Sequence, residues 1–329
     1  MTDPTLDPTR ATGAAPAGFG RRLTRQVVSW FDSHHVDHTP REGGPKVEWL
    51  RILPFLAMHL GCALVIWVGW SPFAVGVAVA LYALRMFAIT GFYHRYFSHR
   101  AFRTSRAVQF LGALLGNSSG QRGPLWWAAH HREHHRKSDQ EGDVHSPVLN
   151  SFLWSHMLWF TTRENHITHE GRVRDLARFP ELRWLDRFDS VVPLALGALL
   201  FLTGVVLEHV APGLGTNGPQ LFIWGFCIST TVLAHATFTI NSLAHRWGHR
   251  PYETSDDSRN NAFLALITLG EGWHNNHHHY SHSVRQGFRW WEIDLTYMTL
   301  KVLERVGLVW DLAPVPERVQ HERRTRTPT

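Results

Sequence analysis

Four apolar blocks, each close to the length that crosses a lipid bilayer, constrain the fold of this chain more than any other feature. A membrane-spanning helix needs roughly 20 mainly apolar residues. The blocks of this kind are residues 49–70, 71–93, 191–210 and 219–240. They hold few charges, namely Arg51, Arg85 and Glu208. We therefore predict an all-α integral membrane protein with four transmembrane helices.

The connections between the blocks arrange them as two hairpins. The turns at 69–72 and 211–219 are short and contain no Lys or Arg, whereas the segments outside the hairpins carry nearly all of the basic residues. Because basic residues stay on the cytoplasmic side, we expect a multi-pass protein of the cell membrane with both termini and the 94–190 region in the cytoplasm. The alternative is a soluble protein with four buried core helices, which the mean hydropathy of −0.19 would suit.

Composition divides the chain into three parts. Residues 1–45 are rich in Pro, Thr, Gly and charge, so we expect a disordered N-terminal tail and no secretory signal peptide. Residues 46–315 are predicted to form the membrane domain, with a histidine-rich helical cap on the cytoplasmic side. Residues 316–329 are charged, and we expect a mobile C-terminal tail.

Three histidine clusters fall on the predicted cytoplasmic side of the membrane. Neutral imidazole is the commonest side-chain ligand for metals. Together the clusters offer more nitrogen ligands than one metal can use, which indicates two metals. Imidazole suits iron, zinc, copper and nickel alike. The clusters are His94 and His99, then His131, His134 and His135, and finally His274, His277 and His278.

Residue spacing predicts how the clusters face the metals. In an α-helix, residues at i, i+3 and i+4 share one face, so we expect each triplet to point at one metal centre. His94 and His99 are five apart and do not share an α-helical face, so we place them across the turn where the second span ends. His130 and His279 adjoin the triplets and permit an i, i+4, i+5 register, but the tighter set has the narrower arc and is preferred.

The residues around the clusters argue against several other chemistries. Glu133 and Glu271 are the carboxylates within the clusters, and the His-Glu-x-x-His pattern of a hydrolytic zinc site is missing. No nucleophile elbow, phosphate-binding Gly loop or nucleic-acid motif is present. The 2 cysteines lie in apolar runs and cannot form a thiolate site. Redox chemistry at a pair of iron ions therefore outranks hydrolysis. We interpret His59 and His235, inside the predicted spans, as structural.

The order of these motifs, His-x4-His, His-x2-His-His and His-x2-His-His around two hairpins, resembles that of the membrane fatty acyl desaturases. The similarity is greatest to bacterial desaturases of the stearoyl-CoA Δ9 type and covers about residues 50–310. Supporting stretches lie at 123–135, 241–252 and 269–278. The sequence departs from the family in having His130 where members often carry Asp, and in the additional His279.

The resemblance implies a cofactor, a reaction and partners. The eight cluster histidines would bind a di-iron centre, His245 would be a ninth ligand, and Asn241 would hold a metal-bound water. Spacing alone identifies Asn241 and His245 only as an i, i+4 pair. The implied reaction introduces a cis-Δ9 double bond into a long-chain acyl-CoA, with O2 as co-substrate, in unsaturated fatty acid biosynthesis. Electrons would come from a separate ferredoxin, cytochrome b5-like protein or NAD(P)H-dependent reductase.

Candidate substrate-binding residues follow from the same reaction. The net charge of +6 and the basic flanks of the spans indicate contact with membrane lipid or a phosphorylated substrate, not nucleic acid. Tyr93 is expected to limit the far end of an acyl channel. Tryptophans expected to line that channel, or else to pack at the interface, are Trp126, Trp127 and Trp273. Arginines expected to bind CoA phosphates, or else to form a membrane-surface charge pattern, are Arg122, Arg132, Arg183 and Arg187.

Three other functions remain open from the sequence. A related di-iron hydroxylase or ketolase would use similar ligands and yield a hydroxylated or oxidised chain. An acyl-lipid desaturase would differ in the carrier of the acyl chain. A membrane metal carrier should place polar ligands near the bilayer midplane, whereas the clusters here lie outside the spans.

Overall fold

The computed structural model describes residues 19–35, 46–49 and 52–322. The fold is mostly helical, and the two strands of the described part, β1 (Arg103–Thr104) and β2 (Val309–Trp310), form one antiparallel pair. The main helices are α1 (Phe19–Phe31), α2 (Leu53–Val68), α3 (Pro72–Ser98), α4 (Arg106–Asn117), α5 (Pro124–Lys137), α6 (Pro180–Arg187), α7 (Val191–Val210), α8 (Gly218–Ser242), α9 (Ala262–Ile267), α10 (His274–His279), α11 (Leu295–Arg305) and α12 (Glu317–His321). Single helical turns lie at Ser33–His35, Trp154–Leu158, Trp159–Thr161, Glu164–His166, Glu170–Arg172, Arg174–Ala177 and Pro212–Leu214.

Three helices of the described chain, α3, α7 and α8, are long and apolar enough to cross a membrane. The first predicted span corresponds to α2, which is apolar but shorter, so the predicted count of four is not confirmed. This helix starts late, with a proline in its first turn, and ends at Gly69, whose φ of 63° leaves the helical region. The exposed apolar face of α7, which includes Leu199 and Leu202, is typical of contact with lipid.

The C-terminal end of α3 is a π-helix over Ala88–Ser98. In a π-helix the backbone bonds connect residues five apart, as in the bond from the His99 N–H to the His94 carbonyl, 3.3 Å long. His94 and His99 therefore share a face, with ring centroids 4.9 Å apart. The expectation that they lie on different faces was wrong, because it assumed α-helical geometry.

Arg95 connects this π-helical segment to the residues that precede α10 and α11. Its side chain is buried and donates hydrogen bonds to Asp294 at 2.9 Å and Glu271 at 3.1 Å. Asp294 also caps α11 by accepting from the Tyr297 N–H at 2.9 Å. Because breaking a buried ion pair is strongly destabilising, these bonds fix the end of α3, and with it His94, against α10 and α11.

Both predicted tails contain helix in their described parts. Helix α1 lies within residues 1–45, and α12 lies within 316–329; the remaining tail residues, 1–18, 36–45 and 323–329, are outside the described chain. Leu23, Val27 and Phe31 repeat every four residues, a helical spacing that composition alone does not reveal. Arg187 holds this region by two bonds to Asp32, of 2.9 and 2.7 Å.

Candidate metal centre

Nine histidines meet in two adjoining groups near the ends of helices α3, α5, α8 and α10. Within each group the nearest ring nitrogens lie within 4.8 Å of one another. Helices α3, α5 and α10 and the segment after α8 supply them, so residues far apart in sequence converge. The first group is His94, His99, His131, His135 and His277; the second is His134, His245, His274 and His278.

Each triplet is divided between the two groups. On α5, His131 and His135 join the first group and His134 joins the second. On α10 the i and i+4 residues, His274 and His278, join the second group, while His277 joins the first. The expectation that a triplet serves one metal was therefore wrong. Residues i+3 and i+4 are about 100° apart around a helix, so a helix lying between two sites contributes to both.

The distances between ring nitrogens fit metal coordination. The Nε2 atoms are 3.0 Å apart in the pair His94 and His277, and 3.1 Å apart in the pair His245 and His274. Two nitrogens bound at about 2.1 Å to one metal, at right angles, are separated by about 3 Å. The Nε2 atom of His278 is buried without a hydrogen-bond partner. The donor sets thus fit two metal ions held by imidazole.

Carboxylates hold the opposite ring nitrogens of four of these histidines. Such bonds fix the ring orientation and tautomer, so that Nε2 is presented to the metal. The sequence indicated only Glu271 and Glu133 as nearby acids, because no spacing rule connects loop aspartates to helical histidines. The pairs are His134 with Asp143 at 3.0 Å, His245 with Asp139 at 2.7 Å, His278 with Asp256 at 2.6 Å, and His94 with Glu271.

Burial keeps four of the imidazoles neutral and their lone pairs available. It lowers the pKa of His131, His135, His274 and His277 well below the ordinary value, and neighbouring histidines add to this effect. Burial raises the pKa of the Asp139 carboxyl, but His245 and the other hydrogen-bond donors around this carboxyl together outweigh the effect of burial, and the pKa falls to about 2. Near pH 7 the aspartate is ionised while these four imidazoles are uncharged, the state that metal binding requires.

The histidines next to the triplets lie outside both groups. His130 packs against Trp126, with ring centroids 4.6 Å apart. His279 stacks on Tyr252 at 4.3 Å and lies 2.6 Å from the Glu322 carboxylate. The geometry therefore agrees with the tighter register.

Comparison with known proteins assigns the family. The profile of the family described as "Fatty acid desaturase" matches residues 68–310. The chain belongs to this family. The stearoyl-type resemblance inferred from the histidine motifs is thereby confirmed at the level of the family.

Individual relatives differ in the carrier of the acyl chain and in the position of the double bond. This chain is 35% identical to an sn-1 stearoyl-lipid 9-desaturase of Anabaena variabilis over 268 residues, which are 80% of this chain and 93% of the relative. It is 34% identical over 298 residues, 86% of this chain and 90% of the relative, to an acyl-CoA C20 Delta5-desaturase of Anemone leveillei. An sn-2 palmitoyl-lipid 9-desaturase of Nostoc sp. (strain 36) is 33% identical over 285 residues, which are 84% of this chain and 94% of the relative.

A mainly apolar cavity of about 400 Å³ adjoins the first histidine group. His131 contributes to its wall, and Trp127 stacks on His131 with centroids 5.0 Å apart. Trp126 and Asn241 also line it, and α2, α7 and α8 each contribute apolar residues to its wall. Pockets for small molecules are typically of this kind, apolar with a few convergent polar groups.

Two of the residues expected along the acyl channel lie elsewhere. Trp273 does not line the cavity, and its indole N–H donates to the Ile293 carbonyl at 2.8 Å. Tyr93 is fully buried outside the cavity wall and packs against Gly116, where a Cβ atom would fall 2.2 Å from the Tyr93 ring. It therefore does not form the far end of this cavity.

The four arginines proposed for phosphate binding all face carboxylates. Arg132 binds Asp175 through two bonds of 2.8 and 3.0 Å and also donates to backbone carbonyls. Arg122 lines the cavity and lies 3.0 Å from Asp189. Arg187 is bound to Asp32, as described above, and the exposed Arg183 lies 3.8 Å from Glu170. Arg132 thus has a structural role that the sequence did not indicate.

Proposed function

We propose that this desaturase introduces a cis-Δ9 double bond into a saturated long-chain acyl substrate at a di-iron centre. The observation that carries the proposal is the contact between an apolar cavity and one of two adjoining imidazole groups. The eight cluster histidines and His245 would hold the iron ions, and Asn241, on the cavity wall one turn before His245, would bind a water ligand.

The chemistry requires a metal-based oxidant. Desaturation removes two hydrogens from adjacent methylenes, while O2 takes up these, two electrons and two protons to give two waters. An unactivated C–H bond has no acidic proton, so side-chain acids and bases cannot remove it, and the bound iron pair would supply the oxidising power. The protein's part is to hold neutral imidazoles in place, exclude water with Trp126 and Trp127, and fix one methylene pair beside His131.

The carrier of the acyl chain has two candidates. Acyl-CoA follows from the resemblance to stearoyl-CoA desaturases and requires free cations for its phosphates. Acyl lipid is favoured by a specific observation: every predicted phosphate-binding arginine already faces a carboxylate. Exposed apolar residues at the cavity wall, Phe31 and Leu194, would also suit access from the bilayer. Purified enzyme given either stearoyl-CoA or stearoyl-phospholipid in vesicles will distinguish the two carriers.

We also propose the arrangement in the membrane. The three spanning helices and α2 would form two hairpins of a multi-pass cell-membrane protein, with the imidazole groups and both termini in the cytoplasm. The basic residues outside the hairpins support this orientation. Electrons would then arrive from a cytoplasmic redox protein.

The experiment that tests the function is fatty acid analysis of cells that lack unsaturated fatty acids and express the full chain with a compatible reductase. We expect a new cis-Δ9 monoene with the wild type and with His282→Ala, which changes an exposed histidine, and none with His277→Ala. A hydroxylated product would assign the chain to the hydroxylases. Iron-loaded protein that takes up no O2 with either acyl carrier would contradict the proposal.

A further inference from the structure

Arg85 is a buried cation in α3 that the proposed reaction does not use. Its side chain is 1% exposed. In the described part of the chain, its hydrogen-bond acceptors are all neutral oxygens and no carboxylate pairs with it. An ionisable side chain inside a membrane helix is costly and marks a functional site by default.

The guanidinium of Arg85 connects α3 to α8 and to the end of α4. It donates to the hydroxyl oxygens of Thr230 and Ser229, each at 2.7 Å, and to the Ser118 carbonyl at 3.2 Å. Its fourth bond, to the Leu81 carbonyl at 3.1 Å, stays within α3. The positive charge is therefore spread over hydroxyl and carbonyl dipoles that point their oxygens toward it.

Two of these contacts are with residues that line the cavity or adjoin a lining residue. Thr230 lines the cavity wall, and so does Ser119, the residue next to Ser118. The Ser119 hydroxyl is buried without a hydrogen-bond partner. Beside them, the Gln121 amide donates to the Thr237 hydroxyl at 2.8 Å, and both residues line the same cavity. One section of this mainly apolar wall is thus polar, and the Arg85 guanidinium lies directly behind it.

This polar section includes the end of the cavity remote from the metal centre. The lining residues of α8 extend from Phe226 to Asn241, about 20 Å along the helix axis. Thr230 is near the Phe226 end, whereas Asn241 is one turn from His245. On α3, Arg85 precedes His94 by nine residues, or about two helical turns along the axis. A chain with its reacting carbons at the metals would reach Thr230 with its methyl end.

We propose that Arg85 is a specificity-determining residue that, through Thr230, keeps the far end of the cavity polar and thereby limits the length of the acyl chain. The inference rests on the proposed function. An apolar pocket gains about fourfold in binding for each buried methylene. A methyl end that reaches the Thr230 hydroxyl and Ser119 would instead displace polar contacts and lose that gain.

Matched substitutions separate polarity from volume in this proposal. Thr230→Val keeps the shape and removes the hydroxyl, whereas Thr230→Ser keeps the hydroxyl and adds space. Similarly, Arg85→Met removes the charge and Arg85→Lys retains it. Full-length variants are given an equimolar series of saturated acyl chains of increasing length, and the ratio of long to short monoenes is measured.

We expect the Val and Met variants to raise this ratio by about fourfold per added methylene, with the Ser and Lys variants near wild type. Leu84→Met, on the exposed side of α3, controls for membrane insertion. A shift in Thr230→Ser but not in Thr230→Val would show that volume alone sets the length, and would overturn the proposal. Thr230→Val keeps the test decisive if Arg85→Met fails to fold.

The outcomes also separate this inference from the proposed function. If the wild-type protein, loaded with iron, makes no monoene from any chain length, the proposed function fails. If the wild type makes monoenes and the length ratio is the same in Thr230→Val and in folded Arg85→Met, only the role of Arg85 fails.

Discussion

The described part of the chain contains two assemblies in which imidazole nitrogens lie at hydrogen-bond distance from one another, and they differ in the contacts of the second nitrogen of each ring. In the candidate metal centre, the Nε2 atoms converge and the outer nitrogens of four rings face carboxylates. A second assembly joins His59, His235 and His156 between α2, α8 and the turn at Trp154–Leu158, with nitrogen separations of 2.9 and 3.0 Å. The separations are alike in both assemblies, so distance alone does not identify a metal site.

In the second assembly, which we call the histidine chain, each ring is hydrogen-bonded to its neighbour. His59 places Nδ1 2.7 Å from the Phe55 carbonyl, His235 uses both nitrogens on its two neighbours, and His156 ends 2.9 Å from the Ser242 hydroxyl. One set of neutral tautomers satisfies the contacts between the rings: His156 donates to His235, His235 donates to His59, and His59 donates to the Phe55 carbonyl. The histidine chain therefore needs no ion, and we interpret it as a structural tie between helices.

The largest expected effect is on the centre of the first group. His277→Ala removes a ring whose Nε2 lies 3.0 Å from that of His94 and 2.9 Å from that of His135. We expect a loss of activity of about 100-fold or more, beyond what loss of an outer partner causes, together with a lower iron content. Metal analysis of purified His277→Ala and His282→Ala will check this. Full iron occupancy in His277→Ala would remove it from the ligand set.

The second-largest effect is expected from the carboxylates that hold histidines of the candidate metal centre, which have no counterpart in the histidine chain. Asp256→Asn weakens the hold on His278 Nδ1, and we expect about a 10- to 100-fold loss of iron affinity or activity. Asp257→Asn is the matched control, because this half-exposed neighbour pairs with Arg250 instead. Iron titration of both variants measures the difference. Equal affinities would mean that the Asp256 bond does not support the metal.

A smaller effect of a different kind is expected in the histidine chain. His235→Phe fills the same space but breaks both imidazole contacts, so the free energy of unfolding should fall by about 1–3 kcal/mol. Iron content should stay at the wild-type level, with His209→Phe on the exposed end of α7 as control. Thermal unfolding and metal analysis give the two readouts. Loss of iron without loss of stability would show that the histidine chain is part of a metal site.

The smallest effect should follow a change at the edge of the third cluster. His279→Phe preserves the stack on Tyr252 and removes only the contact with Glu322, a partly exposed pair. Such pairs contribute about 0–1 kcal/mol to stability. Activity should therefore remain close to that of the wild type when product formation is measured. A large loss of iron would revive the alternative register.

Local sequence patterns predict several helices, the metal chemistry and the family of this protein. Apolar runs 20 residues or so long predict α3, α7 and α8 because a bilayer sets the length of the helices that cross it. The spacing of His131, His134 and His135 identifies metal chemistry because helix geometry brings such residues to one side. The same pattern, with the 241–252 stretch, indicated the desaturase family that the comparisons show.

Tertiary structure decided what spacing cannot express. The division of each triplet between two groups depends on where α5 and α10 lie relative to each other, and the π-helix that aligns His94 with His99 depends on its burial among neighbouring helices. Asp139, Asp143 and Asp256 come from loops, so only the folded chain brings them to the histidines. The contact between Arg85 and Thr230 likewise exists only because α3 packs against α8, since no rule of sequence spacing relates residues on separate helices.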